Sequence, residues 1–516
     1  MIFKGIEVTT KATATRYASQ YEAFNRVVGV VVDQIQGHTW KETGTTKRRL
    51  KGDDEDKLRL SVERLIRDSV AVVLTRKRKG QASIDLGKTR YGQGTSNPDL
   101  GYNIHIERAY RGMLELGLLE VTAAGYYSRN AVSGGSKSKL TRYVATDHLL
   151  AFFTEQELKA LPALIPPRSP AHLVRVGLRD DSGNKLRAVE AKTSMGSELV
   201  MAMNLRTINK VLEANWVDVQ LPDEVIMRAI DWKNQNKKGS DDYVLDFSRR
   251  SLYRVFNSHS LDIGGRFYGA FWHNMPKELR RYLLIDGKET VEVDYSSMHP
   301  AMLYAMADLD PPDDAYAAAV DLLELPTNVD RNAVRSMVKQ AFNAMLNALK
   351  PMNNAPDGIM PKVFGLKWRQ VSDAVLKVHE PIAHHFYTGV GGKLQRMDSD
   401  IAEMVMLDFA TYGIPILPVH DSFLMHHGYE EWLKASMEEA FFEVVGRKPD
   451  LKVTSFTRRN DDAAVTEIDE FGEYSSFALD VILRSMDVGY EHRLDAHRQL
   501  MRNNLDGSNT KLDRPK

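Results

Sequence analysis

Two short apolar stretches constrain what this chain can fold into, because each delivers an aspartate to the mouth of a strand. In Val291-Glu-Val-Asp-Tyr-Ser-Ser-Met-His-Pro300, the valines at 291 and 293 alternate with Glu292 ahead of Asp294, the period-two pattern of a strand. The chain then turns at Ser296-Ser297 and enters a helical run from Pro300 to Ala307, with a serine suited to the N-cap and a proline near the helix start. In the second stretch, Ile414 to Val419 reads as a short strand, His420-Asp421 as the turn and Ser422 to Met425 as the return strand. Taken singly, Asp294 is a strand-end residue that caps a helix and Asp421 an ordinary hairpin-turn residue. Taken as a pair, they suit shared divalent cations, since Mg²⁺ is typically bound by one or two carboxylates plus substrate phosphates. Two such ions roughly 3.5–4 Å apart stabilise the attacking and leaving oxygens of a phosphoryl transfer together.

A third element lies between them. Arg331-Asn-Ala-Val-Arg-Ser-Met-Val-Lys-Gln-Ala-Phe-Asn343 repeats a cation every four residues at Arg331, Arg335 and Lys339, close to one face of a helix. Val334, Val338, Ala341 and Phe342 form much of the opposite, buried side. From Glu289 to Asp330 there are ten Asp/Glu and no Lys/Arg, whereas from Arg331 to Arg369 there are seven Lys/Arg and one Asp. An acidic block suits metal, and an adjoining basic helix suits a triphosphate. A solvated charged helix is the plainer reading, which the flanking aspartate strands make the weaker one.

These segments resemble motifs A, B and C of the family A DNA polymerases and of the single-subunit phage and mitochondrial RNA polymerases. Asp294-Tyr-Ser is similar to the start of motif A, Arg335 and Lys339 to motif B, and Val419-His-Asp-Ser-Phe423 to motif C. Gln395-Arg-Met-Asp-Ser-Asp400-Ile resembles the helix before motif C in the DNA enzymes. Asp262-Ile-Gly-Gly-Arg266-Phe-Tyr268 resembles the element with which the RNA enzymes hold the template region. The match runs from about Asp262 to Arg447, five motifs in the family's order.

The resemblance implies an α+β, right-hand polymerase with palm and fingers. It implies two Mg²⁺ ions on Asp294, Asp421 and the backbone carbonyl of Tyr295. Lys339 and Arg335, with Arg331, would contact the incoming triphosphate, and Lys339 is also a proton donor to pyrophosphate. His299 and Asn343 would line the nucleotide site, Gln395 would face the primer-template minor groove, and Arg266 the template backbone. His420 either orients Asp421, touches the primer end, or is a satisfied structural histidine. Partners would be a DNA template, a primer or nascent strand, and nucleoside triphosphates.

Departures from the family pattern bear on the sugar. Ser422 follows the second aspartate, as in the RNA enzymes, where the DNA enzymes carry Glu. Five residues past Asp294 stands His299, followed by Pro300, more like the Tyr-Pro of family B DNA polymerases. A ring beneath the sugar obstructs a ribose 2′-OH by overlap. Asn347 replaces the tyrosine with which the RNA enzymes recognise ribose. The balance leans to DNA synthesis, with a DNA-dependent RNA polymerase or primase-like enzyme as the alternative. From another class, the chain reads as a non-catalytic replication initiator with a vestigial palm.

Residues 1–150 hold 25 Lys/Arg against 16 Asp/Glu in a chain whose net charge is zero. Here Ile104 to Leu116 is an amphipathic helix stopped by Gly117. A strand at Leu118 to Thr122, a loop of small and basic residues from Ser133 to Leu140, and a second strand at Thr141 to Thr146 follow. That order resembles a winged helix, as in plasmid replication initiators, and puts Arg108, Arg111, Lys137 and Lys139 against phosphates; an ordinary small α+β module is the alternative. Arg76-Lys-Arg-Lys79 reads as a flexible basic strip. The expected plan is a basic domain over 1–160, a linker over 161–184 with four prolines between Leu161 and Pro170, a thumb-like helical region over 185–261 carrying Arg249, Arg250 and Arg254, a palm and fingers core over 262–460, a helical region over 461–503, and a disordered polar tail over 504–516. The absence of cysteine excludes disulfides and thiolate metal sites. Met1 to Glu7 lacks a signal-peptide pattern and no apolar run spans a bilayer, so a cytoplasmic location and no membrane partner are expected. A polymerase joined to an initiator-like module suggests a mobile genetic element. Thr388-Gly-Val-Gly-Gly-Lys393 departs from a phosphate loop and reads as the entry to the Gln395 helix. His384-His385 lacks a third metal ligand.

Overall fold

In a computed structural model the described residues are 21–71, 82–84, 103–129, 136–177, 188–191, 196–236, 245–257, 260–455 and 489–509. The fold is mixed α/β. Its centre is an antiparallel sheet whose middle strand, Lys288–Tyr295, pairs with Ser422–His426 on one side and with Leu451–Ser455 on the other. Leu417–Val419 extends the sheet beyond Ser422–His426, while Leu283–Ile285 and then Val217–Val219 extend it from the start of the middle strand. Alternation along Lys288–Tyr295 decides which face is which. Val291, Val293 and Tyr295 are buried in the main core, and Glu292 and Asp294 point the other way.

Four of the described helices share the main core with this sheet. Met298–Met306 follows the first aspartate directly. Arg331–Asn347 buries Val334, Val338, Ala341 and Phe342, the apolar side read from the sequence, and starts with the Asp330 carboxylate accepting from the Asn332 N–H. Gly391–Ala410 packs against the strand Gly264–Tyr268 and against the helix Glu430–Val445. Glycine permits the closest of these approaches. A Cβ on Gly392 would lie 2.3 Å from Ile263 Cγ2, and one on Gly265, at φ +90°, would lie 2.5 Å from the Phe256 ring and 2.9 Å from Ser399 Oγ. The segment Thr388 to Lys393 is therefore a packed helix start.

A second core gathers helices Glu22–Gly37, Asp53–Val70 and Ile106–Glu115 with a three-stranded sheet in the order Ala82–Ile84, Thr141–Ala145, Leu119–Ala123. The helix and the strands on either side follow where the sequence suggests, but Ser136–Lys139, read as part of a loop, is a strand paired with Tyr126–Arg129. Arg76 to Lys79 lies outside the described residues.

Three expectations change. The proline-rich stretch is packed, with a short helix at Leu161–Leu164 and Leu161, Ala163 and Ile165 buried. Part of the thumb-like region is strand, and Arg250 and Arg254 are 0% exposed, so neither can grip a duplex; of the three arginines read as a grip, only Arg249 reaches solvent. The C-terminal helix spans Gly489–Asn509, beyond the point where a disordered tail was expected; 456–488 and 510–516 lie outside the described residues. This helix joins the two cores, since Leu494 belongs to the main one and Leu500 to the other. Arg493, fully buried, is held by Asp218 at 2.8 Å and Asp223 at 3.0 Å. Among the described residues, no helix is long and apolar enough to cross a membrane.

Candidate active site

The two aspartates meet. In the antiparallel register Asp294 stands opposite Ser422, one residue after Asp421, and the Tyr295 N–H donates to the Asp421 carbonyl at 3.2 Å. His420 makes the turn between Leu417–Val419 and Ser422–His426 with φ 59°, a left-handed conformation that non-glycine residues adopt rarely. That local geometry brings Asp421 to the end of the strand pair. Tyr295 is pinned beneath, its hydroxyl donating to the Met437 carbonyl at 2.8 Å. Ser297 occupies the N-cap position of Met298–Met306 but also has positive φ, at 48°, and makes no capping bond; its side chain acts on Tyr316 instead.

Asp294 is pushed up to about 7 by burial, then by the charges of Asp421 and Glu292, with Lys339 and Lys452 pulling the other way. Asp421 also acts on Asp398, His299, His420, Tyr316 and Arg266, so these groups surround one point. Neither the Asp294 nor the Asp421 carboxylate has an ion pair or hydrogen bond among the described residues. Two carboxylates of this kind fit a hard divalent cation, which would replace the proton that their repulsion favours. No group of three or more His, Asp or Glu side chains able to hold a metal occurs among the described residues. Water and phosphate oxygens would therefore supply the remaining ligands of an octahedral ion.

The basic helix contributes as spaced. Arg335 and Lys339 both lie over the buried Tyr316 ring, at 5.4 and 5.9 Å from its centre, and Arg335 donates to Asp314 at 2.7 Å. Arg331, a turn earlier and more exposed, pairs with Asp321. Burial, and then the Asp421 charge, holds the Tyr316 phenol above its usual range, which puts this aromatic shelf within electrostatic reach of the second aspartate.

On the other flank, Arg266 donates through two nitrogens to Asp398 Oδ2 at 2.9 and 2.6 Å. His299 is acted on by the Asn343 side chain and stands 3.9 Å from the same Asp398 oxygen. Burial first, and Arg266 next, lower its pKa to about 4, so the ring is neutral at pH 7. His420, His273, Arg266 and Asp398 line part of a small cavity beside the second aspartate strand. Gln395 lies one turn before Asp398 on the same helix, half-buried and without a hydrogen bond among the described residues.

Sequence reasoning missed three neighbours. Lys452 stands directly across from Asp294 in the register with Leu451–Ser455, exposed and on the same face. Glu292, two residues before Asp294 and so on that face too, accepts a 2.5 Å hydrogen bond from Ser422 Oγ. Asp398 was visible inside the Gln395 segment but carried no assigned part. In the second core, Arg108 spends its guanidinium on the Arg48 carbonyl and Arg111 pairs with Glu107 at 3.0 Å, so neither is free as expected. Lys137 and Lys139 fall on the hairpin strand Ser136–Lys139, opposite Ser128 and Tyr126.

No family model and no curated protein sequence matches the chain. Among solved structures, the POL domain of Pol1 from M. smegmatis in complex with DNA primer-template and dNTP is similar, at 13% identity and a TM-score of 0.29. The match covers 45% of this chain and 51% of that one, so it spans about half of each.

Proposed function

We propose that the chain is a template-directed nucleotidyltransferase that extends a nucleic-acid 3′ end, with DNA as the preferred product. The observation that carries this reading is the register that sets Asp294 beside Asp421, two unpaired carboxylates facing Lys339. Divalent cations held there, Mg²⁺ by the oxygen-only donor set, supply charge neutralisation at the attacking and leaving oxygens.

The chain's own residues then bind and position, because phosphoryl transfer leaves little covalent work to protein groups. Asp294 and Asp421, with the Tyr295 carbonyl, would hold the cations at the triphosphate end of the site. Lys339 and Arg335 neutralise its phosphates from the helix above Tyr316, and Arg331 stands at the outer end of the same row. Lys339 is the group able to protonate departing pyrophosphate. Arg266 and Gln395 face the template side, and His420 holds Asp421 at the turn. His299, neutral and fixed against Asn343, forms the floor under the sugar and favours a deoxyribose. The helix-and-hairpin module around Lys137 and Lys139 is a winged-helix-like DNA-binding part, and a replicative role on a mobile element suits the pairing.

Primer extension on a DNA template with dNTPs or NTPs tests this directly. Mg²⁺-dependent extension that Asp294→Ala and Asp421→Ala each abolish is expected. A chain that binds DNA but extends no primer with either nucleotide set would instead favour a DNA-binding initiator whose sheet has no catalytic part.

A further inference from the structure

We propose that Asp398 is a positioning residue that fixes the His299 ring and so sets the sugar preference of the site, an inference that rests on the polymerase reading above. Asp398 is 2% exposed and sits on the helix Gly391–Ala410, facing the strand Gly264–Tyr268. Its Oδ2 accepts both Arg266 hydrogen bonds and lies 3.9 Å from His299 Nε2. Asn343, on the helix Arg331–Asn347, also acts on the same imidazole. The ring thus lies between two helices, with Asp398 among its polar neighbours.

The anchor itself is braced. Arg254, wholly buried, donates to the Gly265 carbonyl at 2.8 Å, to Ser399 Oγ at 2.8 Å, to Asp400 at 3.0 Å and to Glu403 at 2.9 Å. Gly265 precedes Arg266 and Ser399 follows Asp398, so this network locks the strand to the helix at the residues that form the Arg266–Asp398 pair. Excluding a hydroxyl by overlap needs a wall that does not move, and a displacement of about 1 Å can change a rate a hundred-fold. Histidine χ2 is intrinsically broad, so losing the Asp398 restraint lets the ring swing away from the sugar. Through Asp398, the residue that faces the template side also steadies the nucleotide side.

The test is the ratio of kcat/KM for a dNTP to that for the matching NTP on one primer-template, measured for the full chain. His299→Ala is the reference and should lower the ratio by roughly ten-fold or more. Asp398→Asn, which keeps the side chain's shape and a carbonyl for Arg266, should lower it by roughly three- to ten-fold. The double variant should match His299→Ala alone. An Asp398→Asn protein that loses dNTP and NTP use in equal proportion would show mere structural support and overturn the inference, as would full additivity in the double variant. Asp398→Ala is measured in parallel, with thermal melting to establish that each protein is folded. An unmodified chain that uses both sugars equally overturns the inference and leaves the polymerase reading standing. One that incorporates neither overturns both.

Discussion

At the scale of single residues, the site separates charges that are held from charges that are free. Arg335 is already paired with Asp314, while Lys339 and Lys452 have no ion pair among the described residues and both act on Asp294. The two lysines differ in setting. Lys339 stands over a buried ring on the helix that faces the aspartates, whereas Lys452 is exposed on the sheet. A charge-assisted contact to phosphate is worth about 1.5–3 kcal/mol, so Lys339→Ala should lower kcat/KM by roughly ten- to a hundred-fold. Lys452→Ala should cost only about two- to five-fold, with the loss shrinking as salt rises, because an exposed charge is screened. Steady-state kinetics at two ionic strengths checks both; a Lys452 effect independent of salt would place that side chain in closer contact than its exposure implies.

Among elements, the decisive joint is the one between the strand Gly264–Tyr268 and the helix Gly391–Ala410. Gly265→Ala should destabilise the protein by about 1–3 kcal/mol or more, from overpacking against Phe256 and Ser399 and from the strained φ. It should also depress polymerisation in proportion to the misplacement of Arg266. A melting curve identical to that of the unmodified chain would refute the tight joint. What the sequence conveyed here follows from how local each signal is. The alternation ending in Asp294, the hairpin at Asp421 and the four-residue spacing of Arg335 and Lys339 are all short-range patterns, and each reads directly into its element. Arg254 looks like one more surface cation, because its partner Glu403 lies 149 residues away and nothing nearby in the chain announces that ion pair. Lys452 was hidden for the same reason: only the pairing of Leu451–Ser455 with the central strand puts it across from Asp294. The serine before the helix Met298–Met306 suggested an ordinary N-cap, but the tight turn out of the strand forces positive φ and sends its side chain to Tyr316.

Across the whole molecule, the C-terminal helix packs into both the core of the central sheet and the N-terminal core. His497 on this helix is 3% exposed, stacks 5.5 Å from Trp216, and donates from Nε2 to the Ala214 carbonyl at 3.1 Å. Burial, and then the Arg250 charge, lower its pKa from 6.5 to about 4. Between those values the unfolded chain binds the proton and the folded chain does not. Stability is therefore full above pH 6.5 and declines as the pH falls toward 4, by up to roughly 3 kcal/mol from this group. Thermal melts across that window should show a shallower slope for His497→Gln than for the unmodified chain. Equal slopes would mean that the helix end opens before the imidazole is protonated.

The proposed chemistry requires Asp294 and Asp421 to hold one metal site between them. Mn²⁺ binding to the full chain, followed by electron paramagnetic resonance in the presence of a non-hydrolysable dNTP, measures this most directly. The expected result is tight binding that Asp294→Asn and Asp421→Asn each weaken as much as the double substitution does. Unchanged Mn²⁺ affinity in both single variants would contradict it.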